Sequence, residues 1–171
     1  MNIKPKVESI FKINESFKHK CAKDVLKSWF EETEYEDYMG IGEIRFRPNR
    51  KSGIFLEYPI CDRIDSDGTN SWNTNWDEIC KRHNPDVPSE YVPSYDECIS
   101  KNYNVIAIID MVLTHKGAPE YAIEICHTNP VNDAKLQKLK NFGVHNLLEI
   151  DAEWILNQTK RPQKLLFKRL I

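Results

Sequence analysis

Two acids stand inside stretches that otherwise read as uninterrupted apolar strands. Asp110 breaks the run from Val105 to Leu113, and Glu124 breaks Tyr121-Ala-Ile-Glu-Ile-Cys126. Strands that are apolar on both faces are usually covered on both faces. A carboxylate there is costly unless it is paired, protonated or metal-bound. The link His115-Lys-Gly-Ala-Pro119 suits a hairpin loop. With the hairpin centred on Gly117, partner residues have numbers that sum to 234, and 110 and 124 meet that condition. The two acids then stand opposite each other, with Cβ atoms roughly 5 Å apart. Like charges so placed need something positive between them. Mg²⁺ answers the need, because it accepts one or two carboxylates and keeps several waters. The alternatives are a lysine partner, or one acid turned to solvent at a strand end. Glu57, in Ile54-Phe-Leu-Glu-Tyr58, is a third acid inside an apolar strand and reads the same way.

His19 and Lys23 lie one helical turn apart and share a face that borders an apolar one. That face either points at a site on the sheet or is simply solvated.

The elements that must position these groups follow from periodicity and punctuation. Phe17, Cys21, Ala22, Val25, Trp29 and Phe30 recur at helical spacing, which predicts a helix capped by Ser16 and running to about Phe30 or Glu32. Glu43 to Arg47 and Ile54 to Ile60 read as strands joined by a Pro-Asn-Arg-Lys-Ser-Gly turn. Residues 61–103, rich in Pro, Asn and Ser, read as an irregular insertion with short helices near Trp76–Arg82 and Ser94–Lys101. Trp72 and Trp76 are expected to anchor it to the body. Asn104–Thr114 and Glu120–His127 are strands. Asn132–Phe142 is a helix ended by Gly143, with Leu136 and Leu139 inward. Val144–Ile150 is a strand and Asp151–Gln158 a short helix capped by Asp151. A basic, amphipathic tail follows. The class is α/β: a mixed sheet flanked by helices.

The chain of 171 residues is expected to be a single domain over 1–171, with 40% hydrophobic and 29% charged residues. No apolar run is long enough to span a bilayer, and Met1-Asn-Ile-Lys-Pro-Lys is not an apolar signal segment. An intracellular, soluble protein, cytoplasmic or nuclear, is expected, with no membrane partner. The net charge of −2 divides into +4 over 1–30, −2 over 31–56, −7 over 57–98 and +3 over 99–171. Basic ends attract nucleic acid, although so small a total is a poor signature of a non-specific DNA coat. The Lys, Asn and Ile content suits an AT-rich genome, virus-encoded chains included. Five cysteines without a CxxC are expected to be reduced. Cys61, Cys80, His83 and Cys98 form a conceivable zinc set, because Cys80-Lys-Arg-His83 has ligand spacing.

Taken together, these residues resemble the PD-(D/E)XK nuclease superfamily, most closely its competence-protein CoiA-like branch. The resemblance is carried by the helix with His19 and Lys23, the Glu57 strand, the Asp110 strand and Glu124-Ile-Cys-His-Thr-Asn129. Lys135 on the next helix and the closing Glu149-Ile-Asp151 strand complete it. It spans residues 16–60 and 104–157. It implies a restriction-endonuclease-like core and a nuclease dependent on Mg²⁺ or Mn²⁺, acting on DNA rather than RNA. Asp110 and Glu124, with Glu57, would hold the metal. His19 and Lys23 would assist catalysis. Lys20, Lys27, Lys116, Lys135, Lys168 and Arg169 would contact phosphates. The family's motif lysine lies two residues after the Glu, where this chain has Cys126. A thiol cannot supply a fixed cation, so Lys23 is the candidate for a migrated lysine and Lys116 the second. Two other readings stay open: an inactive nuclease-like module that binds nucleic acid or a protein, and a small zinc-binding interaction protein.

Overall fold

The computed structural model describes residues 6–32, 39–41, 44–46, 53–62, 95–100, 104–115 and 118–171. The expectations for Trp72, Trp76, Cys80, His83, Lys116 and a helix over 76–82 lie outside them.

Helix α1 spans Lys6–Glu31. It begins ten residues before Ser16, which is therefore interior rather than a cap. No proline or glycine interrupts 6–31, so nothing local stops the helix there. Two short strands follow, β1 (Met39–Ile41) and β2 (Ile44–Phe46), paired with each other in a separate two-stranded sheet. β2 was expected to pair with the strand after it, and that expectation fails. The strand after it, β3 (Gly53–Asp62), joins the main sheet instead. A short helix, α2 (Tyr95–Ser100), leads into β4 (Asn104–His115) and β5 (Ala118–Cys126). Helix α3 (Asp133–Asn141), strand β6 (Leu147–Asp151), helix α4 (Ala152–Leu156) and strand β7 (Lys168–Arg169) complete the order.

The main sheet has the order β3-β4-β5-β6-β7. All its pairings are antiparallel except β5–β6, which α3 joins as a crossover. This is the expected α/β class with a mixed sheet flanked by helices. Among the described residues no helix is long and apolar enough to cross a membrane.

The expected caps at Gly143 and Asp151 are in place, and Asn132 adds another. Asn132 accepts from the Lys135 amide at 2.8 Å and Asp151 from the Trp154 amide at 2.7 Å. Gly143 takes φ 72°, the left-handed turn that ends α3. One face of the sheet is covered by α1 and α4 through Ala22, Leu26, Trp29, Phe30 and Ile155, packed on Met111, Leu113, Ile123 and Ile150. Trp29 and Trp154 meet edge to face with centroids 6.1 Å apart. Phe17, expected inward, is 64% exposed; among the described side chains of α1 the buried apolar ones begin at Ala22. The other face carries Leu139 of α3 on Tyr58, Ile109, Val112 and Ala122.

β3 and β4 change face together. Ile54 and Leu56 pack with Met111 and Leu113 on the α1 side, whereas Tyr58, Ile60 and Ile109 pack on the α3 side. The switch falls at Glu57 and Asp110, and Glu57 has φ 52°. A left-handed residue inside a strand turns the chain about its own axis, so alternation resumes with the opposite parity.

Candidate active site

The β4–β5 ladder pairs Met111 with Ile123, Val112 with Ala122 and Leu113 with Tyr121. Asp110 and Glu124 are the next position of that register. The ladder stops there. The Ile125 amide donates instead to Asp110 Oδ2 at 2.8 Å. The carboxylate thus takes the place of a main-chain acceptor and ties β4 to β5 beyond their last pair.

α1 brings two more groups to Asp110. His19 Nε2 donates to Oδ2 at 3.0 Å, and the Lys23 ammonium lies 3.7 Å from Oδ1. Lys23 also forms an ion pair with Glu57. Lys23 itself is buried, Asp110 largely so, and the Glu57 side chain is half exposed. Burial pushes the Asp110 carboxyl up. The His19 hydrogen bond, the Ile125 amide and the charges of His19 and Lys23 outweigh it, and the net shift is below the ordinary value.

Glu124 has the opposite balance. It is only 6% exposed. Burial, then the charge of Asp110, push it up to about 7, against the pull of Lys135 and His19. Lys135, from the first turn of α3, holds Oε2 at 2.7 Å. Among the described residues Oε1 has no hydrogen-bond partner although it is buried. The two carboxylates are therefore approached from different helices: Asp110 by His19 and Lys23 of α1, and Glu124 by Lys135 of α3.

Glu149 is a site residue that sequence reasoning used only as part of a closing strand. It stands beside Glu124 in the parallel β5–β6 register. Its Oε2 accepts from the Val131 amide at 2.8 Å, and Lys168 lies 3.9 Å from Oε1. The signal was present, since Glu149 is also an acid in an apolar strand, Leu147-Leu-Glu-Ile150. Glu124, Cys126, Asn132, Lys135 and Glu149 line a cavity of about 120 Å³. Burial, then the charges of Glu149 and Asp151, raise the Cys126 thiol.

The expected phosphate contacts divide. Lys20, Lys168 and Arg169 are exposed. Lys27 is 3.4 Å from Glu31 on its own helix. Lys135 was expected to face phosphate, and its ammonium is turned onto the buried Glu124 instead, 2.7 Å away. Cys61 and Cys98, half of the expected zinc set, are brought together. Among the described residues no three potential ligand side chains converge on one point.

Comparison with protein-family models, curated proteins and solved structures finds no match to this chain.

Proposed function

We propose that the chain is a metal-dependent nuclease with a restriction-endonuclease-like core, hydrolysing phosphodiester bonds of DNA. The observation that carries the reading is the Asp110–Glu124 pair: a largely buried acid and a buried one, each next after the last ladder pair Met111–Ile123, with one carboxylate oxygen of Glu124 unsatisfied among the described residues. That donor set fits a hard cation, because Mg²⁺ needs few protein oxygens and keeps its waters. Asp110 and Glu124 would hold Mg²⁺ or Mn²⁺, with Glu57 at the margin. When bound, such an ion lowers the pKa of a coordinated water and offsets charge on the scissile phosphate. The chain's own groups do the rest. His19 and the Ile125 amide fix the orientation of Asp110. Lys23 supplies the fixed cation that Cys126 cannot, beside Asp110. Lys20, Lys168 and Arg169 attract the backbone of the nucleic acid.

A second reading is favoured by one observation. Cys126 occupies the motif-lysine position, and both nearby lysines already neutralise acids. A nuclease-like module that binds without cutting fits that arrangement. The deciding experiment is cleavage of labelled DNA with Mg²⁺, with Mn²⁺ and with a chelator. Metal-dependent cleavage that is lost in Asp110→Asn and Glu124→Gln supports the nuclease. DNA retention without cleavage in any metal supports the binding module. Cleavage unaffected by either substitution rejects the site.

A further inference from the structure

The structure also brings two sulfurs together far from these acids. Cys61 ends the regular part of β3, and Cys98 lies on α2, 37 positions later. Both are fully buried, and their Sγ atoms are 3.3 Å apart. A disulfide needs about 2.05 Å between sulfurs, so these are two separate thiols. Two thiolates on one tetrahedral zinc, each ~2.3 Å from the metal, stand about 3.8 Å apart. The observed separation is within half an ångström of that.

The surrounding elements bear on why the sulfurs meet. The β3–β4 register slips between Ile60 and Cys61, within a run from Tyr58 to Cys61 that is buried throughout. Such a slip re-aims a side chain. α2 has six residues, too few to be stable alone. Asp96 and Ser100 on it are exposed, and Cys98 is its buried anchor among the described side chains. A thiol–thiol contact is a weak fastening. A shared metal is a strong one, since its binding energy is also folding energy.

We propose that Cys61 and Cys98 are ligands of a structural, zinc-class metal ion that fastens α2 to the edge of the main sheet. The pair supplies two of the four ligands that such an ion takes. A soft divalent metal is what turns a buried thiol into a thiolate. This ion is distinct from the one the carboxylates would hold: thiolates select zinc, whereas carboxylates and water suit Mg²⁺ or Mn²⁺.

The test is metal content of the full chain, purified with reduced thiols and dialysed against a weak chelator. About one zinc per chain is expected, released by a thiol-specific mercurial. Cys61→Ser and Cys98→Ser should each abolish retention, and Cys21→Ser and Cys126→Ser should keep it. Because the first two variants remove buried anchors and can unfold, wild-type protein is also loaded with Co²⁺. A sulfur-to-cobalt charge-transfer band is expected. Absence of both retained zinc and that band overturns the proposal. So does zinc that persists in folded Cys61→Ser, or a Cys61–Cys98 disulfide found in protein prepared without oxidant.

Discussion

Glu57 and Asp110 stand opposite each other in the β3–β4 register, and Lys23 bridges both carboxylates from α1. Their position is also where both strands change face. The kink and the ion pairs support each other. The left-handed backbone at Glu57 releases its side chain from strand alternation, and Lys23 then neutralises two acids at once.

The backbone at Glu57 can be tested separately from its charge. A non-glycine residue at φ 52° carries a steric cost that glycine does not. Glu57→Gly and Glu57→Ala both remove the partner of Lys23. The glycine variant should be more stable than the alanine variant by about 1 kcal/mol. Chemical denaturation of the two decides it, and equal stabilities would mean that the strand does not hold this conformation.

Glu124 makes a stability prediction with a definite sign. Its folded value is raised to about 7 from an ordinary 4.5. The folded chain therefore binds this proton more tightly than the unfolded chain does. The contribution is fully present below the unfolded value and is lost as pH rises through about 7. Asp110, held below its ordinary value, keeps its charge throughout that range. Glu124→Gln should match the wild type in Tm near pH 5 and exceed it near pH 8. Thermal scans across that range check it, and a wild type that gains on the variant with rising pH contradicts it.

The nuclease reading makes a prediction about rates. Removing one carboxylate by Asp110→Asn or Glu124→Gln should lower metal-dependent cleavage by orders of magnitude, because several kcal/mol of transition-state stabilisation are lost. Circular dichroism should show the fold retained. Cleavage at the wild-type rate in either variant would remove that residue from the site.

Lys23 and the tail should separate chemistry from binding. Lys23→Ala removes the ammonium 3.7 Å from Asp110 and should depress cleavage far more than DNA affinity. Lys168→Ala, on an exposed strand, should weaken affinity and its salt dependence instead. Cys126→Lys in the Lys23→Ala background should restore part of the rate. Cleavage and binding assays at fixed salt measure both effects, and undiminished cleavage in Lys23→Ala would send the role to Lys116.

The Asp110–Glu124 relationship was legible because a short hairpin leaves few registers open, though the reason differs from the expected one. Next to the turn the partners sum to 233, as in Thr114 with Pro119. An irregularity after Leu113 moves the sum to 234 from Leu113 to Met111, so a symmetrical centre at Gly117 suits that stretch of the ladder and fails for the pairs nearest the turn. The caps at Gly143 and Asp151 were legible because each is a local device. The kink at Glu57 was not, since nothing in Phe-Leu-Glu-Tyr marks a left-handed residue. Lys135 reads as a phosphate contact because sequence shows a residue's charge and not the partner that captures it. β1 was overlooked because three residues carry too little periodicity to stand out.

The two residues between His115 and Ala118 have a bearing on how the chain assembles. β4 and β5 are neighbours in sequence, so their hairpin closes over a short loop, whereas pairing with β3 must close a span of some forty residues and docking α1 a longer one. Asp110 and Glu124 are therefore expected to meet before α1 docks His19 and Lys23 onto them. In that order the refolding limb of a chevron should slow as pH rises past the Glu124 titration, with the unfolding limb moving less.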